Sequence, residues 1–411
     1  MRWIGLAVAG VVTVSKGGRT EVKIAGNFAA VAAGVALAVF CGCQSSRPDD
    51  GRWCVFDFGA KGDGVTDDTA AIQRGIDFLA ERGGGRLYFP YTPHGYLVAS
   101  PAKEFASNGR IVRAQIVLPP GLRNVFLEGE MPTKQLYSYQ VRQPDSPKSL
   151  GITTFRRGLN EPLPNVTIHS VWEAPEETDP KKRPWAVIAA PEGDSCSGHF
   201  SVSLVTLRNL EFRVRLNTEK MYPTTSAANL QNCARVNVQD CQFCLDEMVG
   251  DAYLKKELMP NPCHTVGLMT SGDQNDSQIL RNVAVQGFRY GFVFGEHIVA
   301  EHLYVHNCEE AIAFHDSTHY SAINNVVAQH NRRILTALPD GTFGHHASDI
   351  FVDILCLNYE TGRNCLPKVS QLEYGVWDPE SRIHGTMKRH LPWGDPRFPV
   401  NGGKNLKLTT L

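Results

Sequence analysis

Two periods of apolar and polar residues divide this chain. Near its start Ile72, Ile76 and Leu79 recur at i, i+4 and i+7, one apolar stripe of an α-helix. Asp67-Asp68-Thr69 sets capping oxygens and negative charge just ahead of that stripe, and Gly83-Gly84-Gly85 supplies the positive-φ freedom that ends it. Arg86-Leu87-Tyr88-Phe89 then reads as a short strand stopped by Pro90. Beyond it the period falls to two. Short alternating segments recur at Leu207–Phe212, Cys233–Val238, Leu280–Val285, Ala300–Val305 and Ile323–Ala328. Their last residues lie 26, 47, 20 and 23 apart. Repeats of that length with strand-like alternation predict a solenoid, in which each coil covers its neighbour's apolar face. The 47 then stands for two turns, or for one turn with a long loop.

Register supports the same picture. Counted from Val285 and Val305, the third position is Phe288 and Cys308, the ninth is Phe294 and Phe314, and the eleventh is Glu296 and Asp316. Like residues at like offsets would stack as ladders, and counting three from Val238 adds Cys241 to the first of them. Met131 to Ser197 breaks the rhythm with proline and mixed charge and reads as long loops. From Tyr359 an irregular, Pro- and Gly-rich tail follows, closing in the strand-like Asn405–Leu411.

The segment Phe56-Asp57-Phe58-Gly59-Ala60-Lys61-Gly62-Asp63-Gly64-Val65-Thr66-Asp67-Asp68-Thr69-Ala70-Ala71-Ile72-Gln73 resembles the opening motif of the pectate-lyase-like superfamily. That group includes rhamnogalacturonases, polygalacturonase-like hydrolases, epimerase-like proteins and phage tailspikes. Gly83-Gly84-Gly85, Phe89-Pro90 and Gly95-Tyr96 resemble its continuation. The resemblance implies an all-β fold, a right-handed single-stranded parallel β-helix with an N-terminal capping α-helix. It does not fix the reaction, because function sits in sites grafted on a fold. The polygalacturonase-type catalytic set is not carried over. Asn217-Thr218-Glu219, Asp246-Glu247, Gly344-His345-His346 and Arg332-Arg333-Ile334 each depart from it, and Arg332 precedes Gly344, against the family's order.

Charge and composition narrow the function. Forty-one Lys and Arg against 42 Asp and Glu give a net charge of -1, which sets a nucleic-acid partner aside. At the N-terminus Lys16, Arg19 and Lys23 precede the uncharged run Phe28–Phe40, the layout of an export signal too short for a comfortable membrane span. Gly42-Cys43 resembles the end of a bacterial lipoprotein signal. We therefore expect residues 1–43 to be an export signal, Cys43 to be lipidated, and residues 44–411 to form the β-helix domain. The protein would be periplasmic, anchored to the outer membrane or extracellular, meeting a membrane only through that lipid. Nine of the 11 cysteines lie beyond Cys43, an odd number, so they cannot all pair within one chain.

Candidate chemistry follows from the ladders. Carboxylates on adjacent rungs, about 4.8 Å apart, cannot both ionise freely, so one pKa rises. That is the condition for one general acid and one base, and glycosidases use carboxyl pairs in this way. Glu296 and Asp316 are the expected pair, with Asp273 and His315 supporting. Arg289, Tyr290 and His319 are expected to bind substrate, Arg289 by bidentate contact with a carboxylate. No metal-ligand spacing stands out, including around Cys241-x-x-Cys244, and no resident cofactor is expected. The leading expectation is an enzyme hydrolysing a pectin-like or other acidic polysaccharide. The alternatives are a polysaccharide lyase, for which Ca²⁺ would neutralise the uronate, and a non-catalytic glycan-binding or surface-attachment β-helix.

Overall fold

The structure, a computed structural model, describes residues 51–107, 110–131, 165–171, 185–191, 202–215, 225–245, 265–270, 277–306, 308, 310–314, 318–329, 331, 333–337, 348–357, 374–375, 382–390, 400–401 and 406–410. The expected leader and Cys43 lie outside them.

These residues wind into a right-handed parallel β-helix. Each coil lays one strand on the main row of a 15-stranded sheet, turns a corner into a side row of the same sheet, and in most coils returns through an eight-stranded sheet. One coil makes the pattern plain. Cys233–Gln239 lies in the main row, Gln242–Leu245 in the side row and Thr265–Met269 in the eight-stranded sheet. In later coils the first two merge into one longer strand, as in Gln278–Gln286 and Ile298–His306. Among the described residues every pairing between coils is parallel, and the one antiparallel pair is the hairpin of Lys103–Ser107 with Arg110–Val117.

The expected spacings resolve as follows. Val285 pairs with Val305, and Val305 with Ala328, so the offsets of 20 and 23 are single coils. Phe212, however, pairs with Phe243 and Val238 with Leu280. The sequence comparison had set a side-row residue, Phe212, against a main-row residue, Val238. The true offsets there are 31 and 42, and the second is one coil carrying a long insertion. Gln242 pairs with Ala284, which puts Cys241 level with Val283, so Cys241 does not extend the Phe288 and Cys308 ladder. Within 131–197, read as loops, Thr167–Ser170 is a strand of the side row and Trp185–Ala189 a strand of the eight-stranded sheet, and the tail adds Arg382–His390 and Leu406–Thr410 to the main row.

The interior is a set of apolar columns running up the coils. One runs Tyr96, Ile168, Phe212, Phe243, Val285, Val305, Ala328. All are buried, and the rings of Phe212 and Phe243 stack with centroids 5.4 Å apart and planes 9° apart. Each such side chain contributes about 1.5–3 kcal/mol of burial. Cys241 and Cys308 belong to this core, and burial pushes both thiols up to about 12. Both serve as small apolar side chains of the core.

Corners are made by single residues in the left-handed region. Asn209, Asp240, Asn282, His302 and Asn325 occupy one register position on successive coils, with φ of 53–56°. Asn and Asp tolerate this conformation better than most residues. Asn282 Nδ2 also donates to Asp240 Oδ1 at 2.6 Å, tying one corner to the next. A second left-handed column opens the main-row strands at Gly84, Asn124, Leu204, Arg235, His297 and Tyr320.

The helix α1, Thr69–Glu81, buries Ile72, Ile76 and Leu79 as its stripe requires. Gln73 exchanges two hydrogen bonds with the backbone of Val117, at 2.8 and 2.9 Å, as a strand partner would. Its N-terminus differs in detail from expectation. Asp68 makes no capping bond to the helix and instead accepts from the amides of Lys61 and Gly62, at 2.7 and 2.9 Å. Burial raises its pKa all the same. Asp67 does the capping, accepting from the Thr69 amide at 3.0 Å. Among the described residues no helix is long and apolar enough to cross a membrane.

Candidate active site

Glu296 lies at the corner between the eight-stranded sheet and the main row. Tyr290–Phe294 carries the chain through the eight-stranded sheet, and Ile298–His306 takes it back along the main row. Phe294 and Ile298 are buried in the core, and they clamp the three residues between them. Neighbouring rungs hold the corner by its backbone. Thr318 Oγ1 donates to the Phe294 carbonyl at 3.0 Å, the Ile298 amide donates to Ser321 Oγ at 3.1 Å, and the Gln278 amide donates to the His297 carbonyl at 3.1 Å.

The side chain of Glu296 is buried although it is a carboxylate, the residue 4% exposed. His297 Nδ1 lies 4.0 Å from its Oε2. The His297 ring in turn lies parallel to that of Tyr320 on the next coil, with centroids 6.2 Å and planes 6° apart. Phe294 pairs with Phe314, so the expected offset of 20 holds up to the edge of this corner. Asp316, His315 and Asp273 lie outside the described residues. His319 opens the strand His319–Gln329, with its backbone paired to Ser348.

Arg289 and Tyr290 are not part of this corner. Arg289 precedes and Tyr290 opens the strand whose far end, Phe294, leads into the corner about 13 Å along at 3.3 Å per residue. The Arg289 guanidinium sits 5.3 Å over the Tyr290 ring. Tyr290 itself is buried in a small apolar cluster with Val266, Met269, Val293 and Ala313, separate from the main core. Its partner on the next coil is Glu310, whose carboxylate takes Arg333 Nη1 at 3.3 Å one coil further. An extended oligosaccharide, not a single sugar, is needed to touch both ends of this strand.

One polar cluster went unseen in the sequence. On the side row Arg213 binds Glu211 Oε1 through Nε and Nη2, at 2.9 and 2.5 Å, and Asn165 Nδ2 donates to the other carboxylate oxygen at 3.0 Å. Both members of the pair are buried. Glu-Phe-Arg puts the acid and the base two apart on one face of a strand, and that spacing was the available signal. Its burial was not legible. Among the described residues no group of His, Cys, Asp and Glu is arranged to hold a metal ion.

Residues 54–107 match the family model described as rhamnogalacturonase A/epimerase, pectate lyase-like. Among curated proteins the chain is 42% identical over 64 residues to alginate lyase 7 of Azotobacter vinelandii, covering 16% of this chain and 7% of that protein. It is 64% identical over 36 residues to the mannuronan C5-epimerase AlgE5 of the same organism, covering 9% of this chain and 4% of that protein. The chain thus spans less than a tenth of the length of either relative. Among solved structures, a hyperthermoactive exopolygalacturonase from Thermotoga maritima is 12% identical, with 89% of this chain and 91% of that one covered and a TM-score of 0.35. Residues 54–107 are thus similar to the rhamnogalacturonase A/epimerase, pectate lyase-like family, and the coils that follow them wind as a parallel β-helix.

Proposed function

We propose that this protein is an exported carbohydrate-active enzyme that cleaves a pectin-like or other acidic polysaccharide by glycoside hydrolysis, with Glu296 and Asp316 as its acid/base pair. The pairing of Phe294 with Phe314 carries this reading. On this proposal the offset of 20 runs on to Glu296 and Asp316, the three residues that bring the offset to 23 at Val299 and Ala322 are inserted after Asp316, and the two carboxylates act at the ~5 Å spacing that retaining glycosidases use. Glu296, buried at the corner, is assigned the acid role. Asp316 is then the nucleophile or base. Asp273 and His315 steady the pair, and Arg289, Tyr290 and His319 hold sugars further along the chain. Export is supported by the uncharged run Phe28–Phe40 behind Lys16, Arg19 and Lys23.

A second reading, β-elimination by a polysaccharide lyase, is favoured by the match to a protein named an alginate lyase. Digestion of polygalacturonate and alginate separates the two. Hydrolysis releases reducing ends with no rise in ultraviolet absorbance and is indifferent to chelators. An unsaturated, absorbing product that disappears with chelation would overturn hydrolysis in favour of the lyase. Binding with no cleavage of either polymer would overturn both in favour of an attachment protein.

A further inference from the structure

We infer that the stacked rings of His297 and Tyr320 form a sugar-binding platform at the rim of the Glu296 corner, taking the apolar face of a pyranose unit of the polysaccharide. The inference rests on the reading of Glu296 as part of a polysaccharide site and goes beyond it by naming a positioning residue, Tyr320.

Three observations converge on Tyr320. First, it is 69% exposed, so its ring does little for the core. Second, it sits in the left-handed region, at φ 47°. The conformation belongs to the corner, since Leu204, Arg235 and His297 share it at the same register position, and it swings the Tyr320 side chain out of the strand's regular alternation. The corner does not demand an aromatic: Gly84 and Asn124 fill the same register position in earlier coils, where both conform more easily. Third, the ring is oriented in advance. It lies parallel to His297, whose Nδ1 is 4.0 Å from the carboxylate of Glu296. A sugar stacked on Tyr320 would be delivered beside that carboxylate, and a flat π face suits the C–H face of a pyranose.

The neighbouring coil extends the surface. Ala322 pairs with Phe351, which is 57% exposed and stacks on His384 with centroids 5.3 Å apart. Phe351 is one rung up and two residues along from Tyr320, roughly 8 Å away by strand geometry. One oligosaccharide can touch both rings.

The test compares Tyr320→Asn and Tyr320→Phe in the full chain, by retardation in gels containing polygalacturonate or alginate and by thermal unfolding. Tyr320→Asn should weaken binding about tenfold, the scale of one lost aromatic contact. Its melting temperature should hold or rise, because asparagine is at ease in this conformation. Tyr320→Phe should bind as the native protein does. The inference is overturned if Tyr320→Asn binds normally, if it loses binding only together with stability, or if it alters the oligomeric state instead, which would make the surface a contact with a second copy of this chain. A native protein that binds the polymers through Tyr320 but never cleaves them keeps the platform and defeats the hydrolase reading. A native protein that binds neither polymer defeats both.

Discussion

Phe294 and Phe314 face each other from neighbouring coils, 20 residues apart in sequence, both wholly buried. Their pairing fixes the winding on which the candidate site depends. Truncating either ring should leave a cavity between stacked coils. Phe314→Ala is expected to cost about 3–5 kcal/mol, and Phe314→Leu distinctly less. The midpoint of urea unfolding checks this. A loss near zero for Phe314→Ala would mean that the ring is not enclosed.

The corner column makes a separate prediction. Asn282 combines a left-handed backbone with a 2.6 Å bond to Asp240. Asn282→Ala loses the bond and keeps the strain, at about 1–2 kcal/mol. Asn282→Gly loses the bond but relieves the strain, so it should be the milder change. If denaturant unfolding ranks glycine as the worse of the two, the backbone is not what asparagine serves here.

Acid should act on the segment ahead of α1. Burial works to raise the pKa of Asp67, but hydrogen bonds from Ser100, Thr69 and Ala99 outweigh it and hold the value below 3.8. Above 3.8 both folded and unfolded chains are ionised and these bonds contribute fully. As pH falls below that value the unfolded chain takes up the proton first, and the contribution is lost through the folded pKa. Asp67→Asn should therefore be less stable near pH 6 and show a flatter acid limb between about pH 4 and 2. Melting temperatures across that range decide it; parallel curves for the two proteins would contradict the assignment. Asp68, raised by burial, has the opposite sign, and its contribution fades as pH rises through its folded value.

Much of this fold was legible where coils are short. Val285, Val305 and Ala328 are true partners, and their spacings of 20 and 23 could be read directly because little intervenes between strands. The earlier coils misled for a physical reason. Alternation alone does not say on which side of a corner a strand lies, so Phe212 was matched to Val238 although Asn209 turns the chain between their rows. The Asn and Asp residues at those corners were visible in the sequence and would have corrected the register. In the site, the offset of 20 was legible as far as Phe294 and Phe314, beyond which it becomes 23 at Val299 and Ala322. The stack of His297 on Tyr320 was not, because it needs two residues 23 apart to share an unusual conformation. Nor was the buried Glu211 and Arg213 pair, since strand periodicity does not reveal what covers an outward face.

The proposed site stands or falls on its two acids. Glu296→Gln and Asp316→Asn should each lower kcat/KM on a polysaccharide that the native protein cleaves by at least ~100-fold, while unfolding curves stay within those of the native chain. Full activity in both variants would contradict the assignment and send the search elsewhere on the coils.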